Sequence, residues 1–199
     1  MFRIDIISVQ PRMFEGFLTE SIVARAVRKG ACSVNVVDLR DFGEGRWKKV
    51  DDKPYGGGPG MLMKCGPWFA AVAHCLGLDG PALDAASLRA AGVRVVMTDP
   101  KGTVFSQRDA AAFAAQAVGT PPALRQLIFL CGHYEGFDAR IETLATDRRS
   151  LGDFVLTGGE LAAAVMTDAI VRLLPGVLGG GPAATAAESF GSDGLLECP

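Results

Sequence analysis

Residues 2–37 read FRIDIISVQPRMFEGFLTESIVARAVRKGACSVNVV, and the order of patterns within this stretch decides the fold class. Residues 2–9 are apolar and β-branched, which predicts a first strand. Residues 21–29 place Ile22, Val23 and Ala26 on one face of a helix that ends at Gly30. Residues 33–37 form a second β-branched run. Strand, helix and strand in this order are the unit of a parallel sheet, because parallel neighbours need a crossover connection.

The same alternation continues outward. A helix is predicted over 68–76, a strand of the fully buried type over 93–97, and a capped, alanine-rich helix over 106–117. A short apolar strand follows at 127–131, then a helical turn at 140–144, a short strand at 154–157 and a last helix at 160–174. The expected fold class is therefore α/β, a mostly parallel sheet with helices on both faces. Residues 38–60 are charged and glycine-rich without periodicity, and a loop of that length in a compact domain is usually functional. Residues 179–199 turn to Gly, Ala, Ser and Thr and read as a linker behind a domain spanning 1–178. No internal repeat is visible.

Composition sets the outer bounds. The chain has 199 residues, 49% of them hydrophobic and 21% charged, which suits a globular core and argues against disorder. A net charge of −2 lacks the basic excess common in nucleic-acid binders. Any RNA binding then needs a local patch, a second subunit or a further domain. Five cysteines, odd in number and widely spaced, fit a reducing compartment better than a disulfide framework or a zinc site. The N-terminus shows no signal-peptide pattern, and the longest apolar stretch, 161–178, is interrupted by Asp168, Arg172 and Pro175. The expectation is a cytoplasmic protein without a membrane span.

Four glycine-anchored motifs carry the chemistry. In DDKPYGGGPGM (51–61), three consecutive glycines between prolines permit positive φ and close approach of a ligand to the backbone, although on spacing alone a flexible surface loop is the better reading. It is not a phosphate-binding P-loop, because no Gly-Lys-Ser/Thr follows. CGHYEGFDAR (131–140) sits at a strand end, where open α/β sheets bind ligands. Within it His133 reads as a hydrogen-bonded structural residue rather than a general base, and Glu135 as a carboxylate able to face a cationic ligand group. SLGDFVLTGGEL (150–161) suits a backbone-lined pocket for an adenine ring, or simply a strand leading into a helix. In DAIVRLLPGVLG (168–179), Asp168 and Arg172 stand four apart, the spacing of an exposed ion pair. The run 179–184 imitates a dinucleotide fingerprint but follows a helix and contains Pro182, so it is rejected. No nucleophile elbow or metal-spaced histidine cluster supports a hydrolase or metalloenzyme.

In this order the motifs, with ESF (188–190) and GLLECP (194–199) behind them, resemble the bacterial tRNA (guanine-N1) methyltransferases of the SPOUT, or α/β-knot, superfamily. The resemblance runs from the first strand to the end of the chain. It implies a deep trefoil knot, a rare exception to the rule against knots, and a homodimer with shared active sites. It implies S-adenosylmethionine as methyl donor, S-adenosylhomocysteine as product and tRNA as substrate, methylated at the guanosine 3′ of the anticodon. Gly132, Leu151, Gly152, Asp153, Phe154, Val155 and Leu156 are implied to hold the cofactor, together with Glu135 and Gly158. Thr98, Pro100 and Gly102 match a further pocket loop, where Asp99-Pro100 replaces the family's Ser-Pro. Asp52, Tyr55, Gly57 and Gly58 are the implied substrate contacts.

The reaction gives the remaining polar residues a role. Guanine N1 carries a proton that must leave, which needs a positioned base, and the negative charge that grows on O6 needs a cation. Arg172 matches the family's arginine. The family's aspartate base is replaced by Glu188, which has the same chemistry on a longer arm. The family reaction depends on magnesium, yet no metal-ligand cluster is readable, so no protein-held metal is expected. The family also continues into a helical tRNA-binding domain that this chain does not contain. Alternatives are another SPOUT RNA methyltransferase, or a non-catalytic dimer that binds S-adenosylmethionine or RNA.

Overall fold

The computed structural model describes residues 1–79, 84–119, 123–179 and 189–190. Five parallel strands form the main sheet: β1 (Phe2–Ser8), β2 (Cys32–Asp38), β5 (Val93–Val104), β6 (Gln126–Cys131) and β7 (Asp147–Ser150), in the order β2-β1-β6-β5-β7. Two short segments, β3 (Asp51–Asp52) and β4 (Leu62–Met63), pair antiparallel beside it. The helices are α1 (Glu15–Thr19), α2 (Ser21–Arg28), α3 (Cys65–Leu76), α4 (Ala85–Ala90), α5 (Gln107–Val118) and α6 (Glu160–Val171).

The period-2 alternation of the strands sorts their side chains onto two cores. Ile4 and Ile6 of β1, Leu127 and Phe129 of β6 and Val96 of β5 face α2, α5 and α6. Ile7, Ile128, Leu130, Val95 and Met97 face α3 and the 3-10 segments at Leu39–Phe42 and Ala139–Leu144. Both faces are therefore covered, as strands apolar on each side require. Local signals set the helix ends. Ser106 and Asp109 form a reciprocal capping box before α5, and Gly77, with φ +67°, closes α3 in the left-handed region.

The structure corrects the expected elements at three places. Residues 154–157 form no strand. Phe154 and Val155 are exposed, and the edge strand is Asp147–Ser150 instead. Those four polar residues carry no apolar alternation. Their strand character comes from pairing with β5 and from the Arg94–Asp147 ion pair, with contacts of 2.5 and 2.7 Å. Second, the strand expected over 93–97 runs on to Val104, with a register shift against β7 between Thr98 and Thr103 that throws residues 99–102 out as a bulge. Third, the long loop after β2 contains a 3-10 turn and β3, and the short helix α4 was not anticipated. The linker expected over 179–199 lies outside the described residues except for Gly179, Ser189 and Phe190. No helix among the described residues is long and apolar enough to cross a membrane.

Candidate functional site

The C-terminal ends of β5, β6 and β7 open into a cavity of about 300 Å³. This is where open parallel sheets bind ligands, since strand ends and helix starts expose unpaired backbone groups there. Thr98 ends the regular part of β5, Gly132 follows β6 and Ser150 ends β7, and all three stand on the wall.

Close packing of backbone shapes it. A Cβ on Gly132 would lie 2.6 Å from the Phe137 ring. One on Gly159 would run into the Thr98 hydroxyl and lie 2.8 Å from Cys131 Cα, and one on Gly158 would strike His133 and Glu160. The loop after β6 and the loop before α6 are tied directly, with the Gly159 N–H donating to the Gly132 carbonyl at 2.9 Å. The first of these loops is also pinned to β4, since Met63 donates to Gly136 and accepts from Asp138. Tyr134 on this loop has φ +59°, an unusual conformation for a residue with a side chain and one that concentrates at functional sites.

Buried polar groups back this wall. Glu160, the first residue of α6, is 2% exposed. Its carboxylate accepts the Ser8 hydroxyl at 2.5 Å and meets His133 Nε2 at 2.9 and 3.0 Å. On the other side Arg148 bridges Glu142 at 2.5 Å and Asp99 at 3.4 Å, while Arg149 reaches Asp109 at 3.1 Å. Cys131 behind the cavity is fully buried, and burial, followed by the charge of Glu160, pushes its thiol well above the ordinary value. It is a neutral hydrophobe, not a nucleophile.

The expected cofactor residues divide between this wall and its surroundings. Leu151, Phe154, Val155 and Leu156 line the cavity on the β7 side, and Gly132, Glu135 and Gly158 on the β6 side. Thr98 and Pro100 border it from β5. Gly152 and Asp153 do not line the cavity, and the Gly152 N–H donates to the Ser150 hydroxyl oxygen at 3.1 Å. Gly102 is also off the wall. A Cβ there would lie 2.6 Å from the Arg149 backbone, so this glycine lets the β5 bulge press against β7. The residues present suit S-adenosylmethionine: glycine backbone, an apolar side for an adenine ring, a carboxylate at the rim and a volume at the small end of ligand pockets.

Asp52 and Tyr55 line a second cavity of about 290 Å³ with Glu44, Lys64 and Arg140. Arg140 holds Asp138 at 2.7 Å and donates to the Tyr55 hydroxyl at 3.1 Å, so two separate motifs meet. The Arg140 guanidinium keeps the Asp138 carboxyl below the usual range. Gly57 and Gly58 have positive φ and nothing within 4 Å of an added Cβ, and they line neither cavity. Glu188 lies outside the described residues. Arg172 caps the far end of α6, about 18 Å along the helix axis from Glu160 at 1.5 Å per residue.

Sequence reasoning missed Gly159, Glu160 and the ligand-side placement of His133. The Gly-Gly-Glu start of a helix was the only local signal. Among the described residues no group of three or more His, Cys, Asp or Glu stands close enough to hold a metal.

Comparison with known proteins agrees with this geometry. The family model described as tRNA (Guanine-1)-methyltransferase TrmD matches residues 2–199. A tRNA (guanine-N(1)-)-methyltransferase of Geobacillus kaustophilus is 44% identical over 198 residues, which is 99% of this chain and 72% of the relative. The proteins of the same name from Levilactobacillus brevis and Geobacter metallireducens are 47% and 46% identical, again over 99% of this chain and 71% and 72% of theirs. With a parallel α/β sheet, a glycine-walled cavity at its strand ends and similarity along nearly its whole length, the chain belongs to the tRNA (guanine-1)-methyltransferase family, whose fold is the SPOUT α/β knot.

Proposed function

We propose that this protein methylates N1 of the guanosine 3′ of the anticodon in tRNA, with residues 1–178 as its catalytic unit, in the cytoplasm. The observation that carries this reading is the cavity at the ends of β5, β6 and β7, which lies within the stretch matched to the family. S-adenosylmethionine would supply an electrophilic methyl group on its sulfonium and leave as S-adenosylhomocysteine. The glycine backbone of 132 and 158 would approach it closely, Leu151, Phe154, Val155 and Leu156 would shield the adenine from water, and Glu135 would face its positive charge. Glu188 would take the proton from guanine N1, and Arg172 would stabilise the charge growing on O6.

The position of Arg172 favours a homodimer. Its Cα stands about 18 Å along α6 from the cavity end of that helix, beyond the reach of its own side chain. A cavity completed by the Arg172 and Glu188 of a second copy removes the difficulty.

Transfer of labelled methyl from S-adenosylmethionine to unmodified tRNA, followed by mass analysis of the nucleosides, tests the reading. N1-methylguanosine next to the anticodon is the expected product. Cofactor binding without transfer would instead support a non-catalytic binding dimer. Chelation of magnesium in the same assay should slow transfer and leave cofactor binding unchanged.

A further inference from the structure

We infer that Glu160 is a positioning residue for the cofactor cavity, acting through His133 with Ser8 as its anchor. This rests on the reading of the cavity as the S-adenosylmethionine site. Two loops wall that cavity, one following β6 and one preceding α6, and neither is regular structure. Glu160 begins the helix that ends the second loop. Its side chain does not point to solvent, although a first-turn glutamate gains from the helix dipole without being buried. It turns inward, is 2% exposed, and spans three elements. The Ser8 hydroxyl at the end of β1 donates to it at 2.5 Å, and the Ser8 oxygen in turn accepts the Gln10 N–H at 2.7 Å, which fixes the serine rotamer. His133, on the cavity wall, meets both carboxylate oxygens through Nε2.

A buried carboxylate is costly unless its oxygens are hydrogen-bonded. Here the two donors come from β1 and from the loop after β6, so satisfying the charge also holds that loop against the start of α6. The space at Gly158 and Gly159 is what this arrangement leaves: a Cβ at 158 would strike His133 and Glu160, and the two residues pair as a single antiparallel bridge, His133 with Gly158. With Glu160 already accepting from Ser8, the Nε2 contact assigns the imidazole proton to Nε2. The carboxylate thereby sets the ring's tautomer as well as its orientation.

The test combines calorimetric titration with S-adenosylhomocysteine and nitrogen-15 NMR of the imidazole ring. His133→Ala should weaken binding about tenfold to hundredfold, the range for losing one buried hydrogen bond to a charged group. His133→Gln keeps an N–H donor at similar reach and should restore most of that loss. Glu160→Gln should weaken binding and let His133 move its proton to Nδ1, because the new amide can donate to Nε2. Thermal melting of each variant separates folding from positioning, since a purely structural role would lower the melting temperature of His133→Ala and leave its affinity intact. Unchanged affinity in His133→Ala, or an Nδ1–H ring in the wild type, would overturn the inference. Absence of S-adenosylhomocysteine binding to the wild-type protein would instead refute the reading of the cavity itself.

Discussion

Replacing Gly159 by alanine adds one methyl group where β6, the cavity and the start of α6 converge. The backbone there has φ −81°, which any residue adopts, so the substitution tests space and not backbone strain. The new Cβ would lie 2.8 Å from Cys131 Cα and 2.9 Å from Gly132 N, and closer still to the Thr98 hydroxyl. Ordinary carbon contacts are about 3.5–4.0 Å, so the neighbours must yield by close to 1 Å. The Thr98 hydroxyl donates to the Leu130 carbonyl at 2.9 Å in a buried position, and displacing it would leave that carbonyl short of a partner. Overpacking of this kind costs about 1–3 kcal/mol and a lost buried hydrogen bond about 1–3 kcal/mol, together about 2–6 kcal/mol. For a chain of this size that is a fall in melting temperature of roughly 4–24 °C. Scanning calorimetry reads the stability, and titration with S-adenosylhomocysteine should show affinity reduced at least about tenfold, because the displaced groups form the cavity wall. Gly16→Ala is the control. It sits within α1 with nothing within 4 Å of the added carbon, and should be neutral or stabilising by up to about 1 kcal/mol with binding untouched. A Gly159→Ala protein that melts with the wild type and binds as tightly would refute the steric account of the site.

Asp147 should contribute an acid-sensitive part of the stability. Burial alone would raise its pKa, but hydrogen bonds from Arg94 and Thr146 bring it below the ordinary 3.8, so its contribution is complete above that value and lost as pH falls through the folded-state pKa. Asp147→Asn should therefore be less stable at neutral pH yet lose less between about pH 5 and pH 2 in urea titrations, and parallel curves for the two proteins would contradict this. Light scattering at micromolar concentration should give about twice the 20.9 kDa chain mass, and a clean monomer would undermine the shared-site reading. Binding of tRNA should fall steeply with salt, and Arg46→Ala or Lys49→Ala should weaken it more than Lys48→Ala, because Lys48 is already paired with Asp41 at 2.6 Å. Filter binding that is insensitive to salt would disprove that dependence. Glu188→Gln should slow methyl transfer roughly 10²–10⁴-fold with cofactor binding nearly unchanged, whereas full activity would move the base elsewhere, to Glu135 or Asp153.

Much of the architecture was legible because its signals are local. The apolar runs of β1 and β6, the apolar face of α2 and the cap at Ser106 each act over a few residues, and each appears in the structure within a residue or two of its expected bounds. The glycine motifs marked the cavity for the same reason, since a glycine required by close backbone approach leaves a visible letter. What the sequence could not disclose depends on pairing between distant segments. Asp147–Ser150 is a strand through its pairing with β5, and the apolar residues 154–156, which imitate a strand, face the cavity and solvent.

The composition of α6 announced a helix starting at Glu160, but not that this carboxylate would be buried. Its donors come from Ser8, 152 residues away, and His133, 27 residues away. Local periodicity thus determined the elements and their order, because hydrogen-bond geometry and side-chain period are properties of short stretches of backbone. The tertiary structure alone decided which polar groups are removed from water, because the free energy of a buried charge depends on the donors that the packed sheet brings to it.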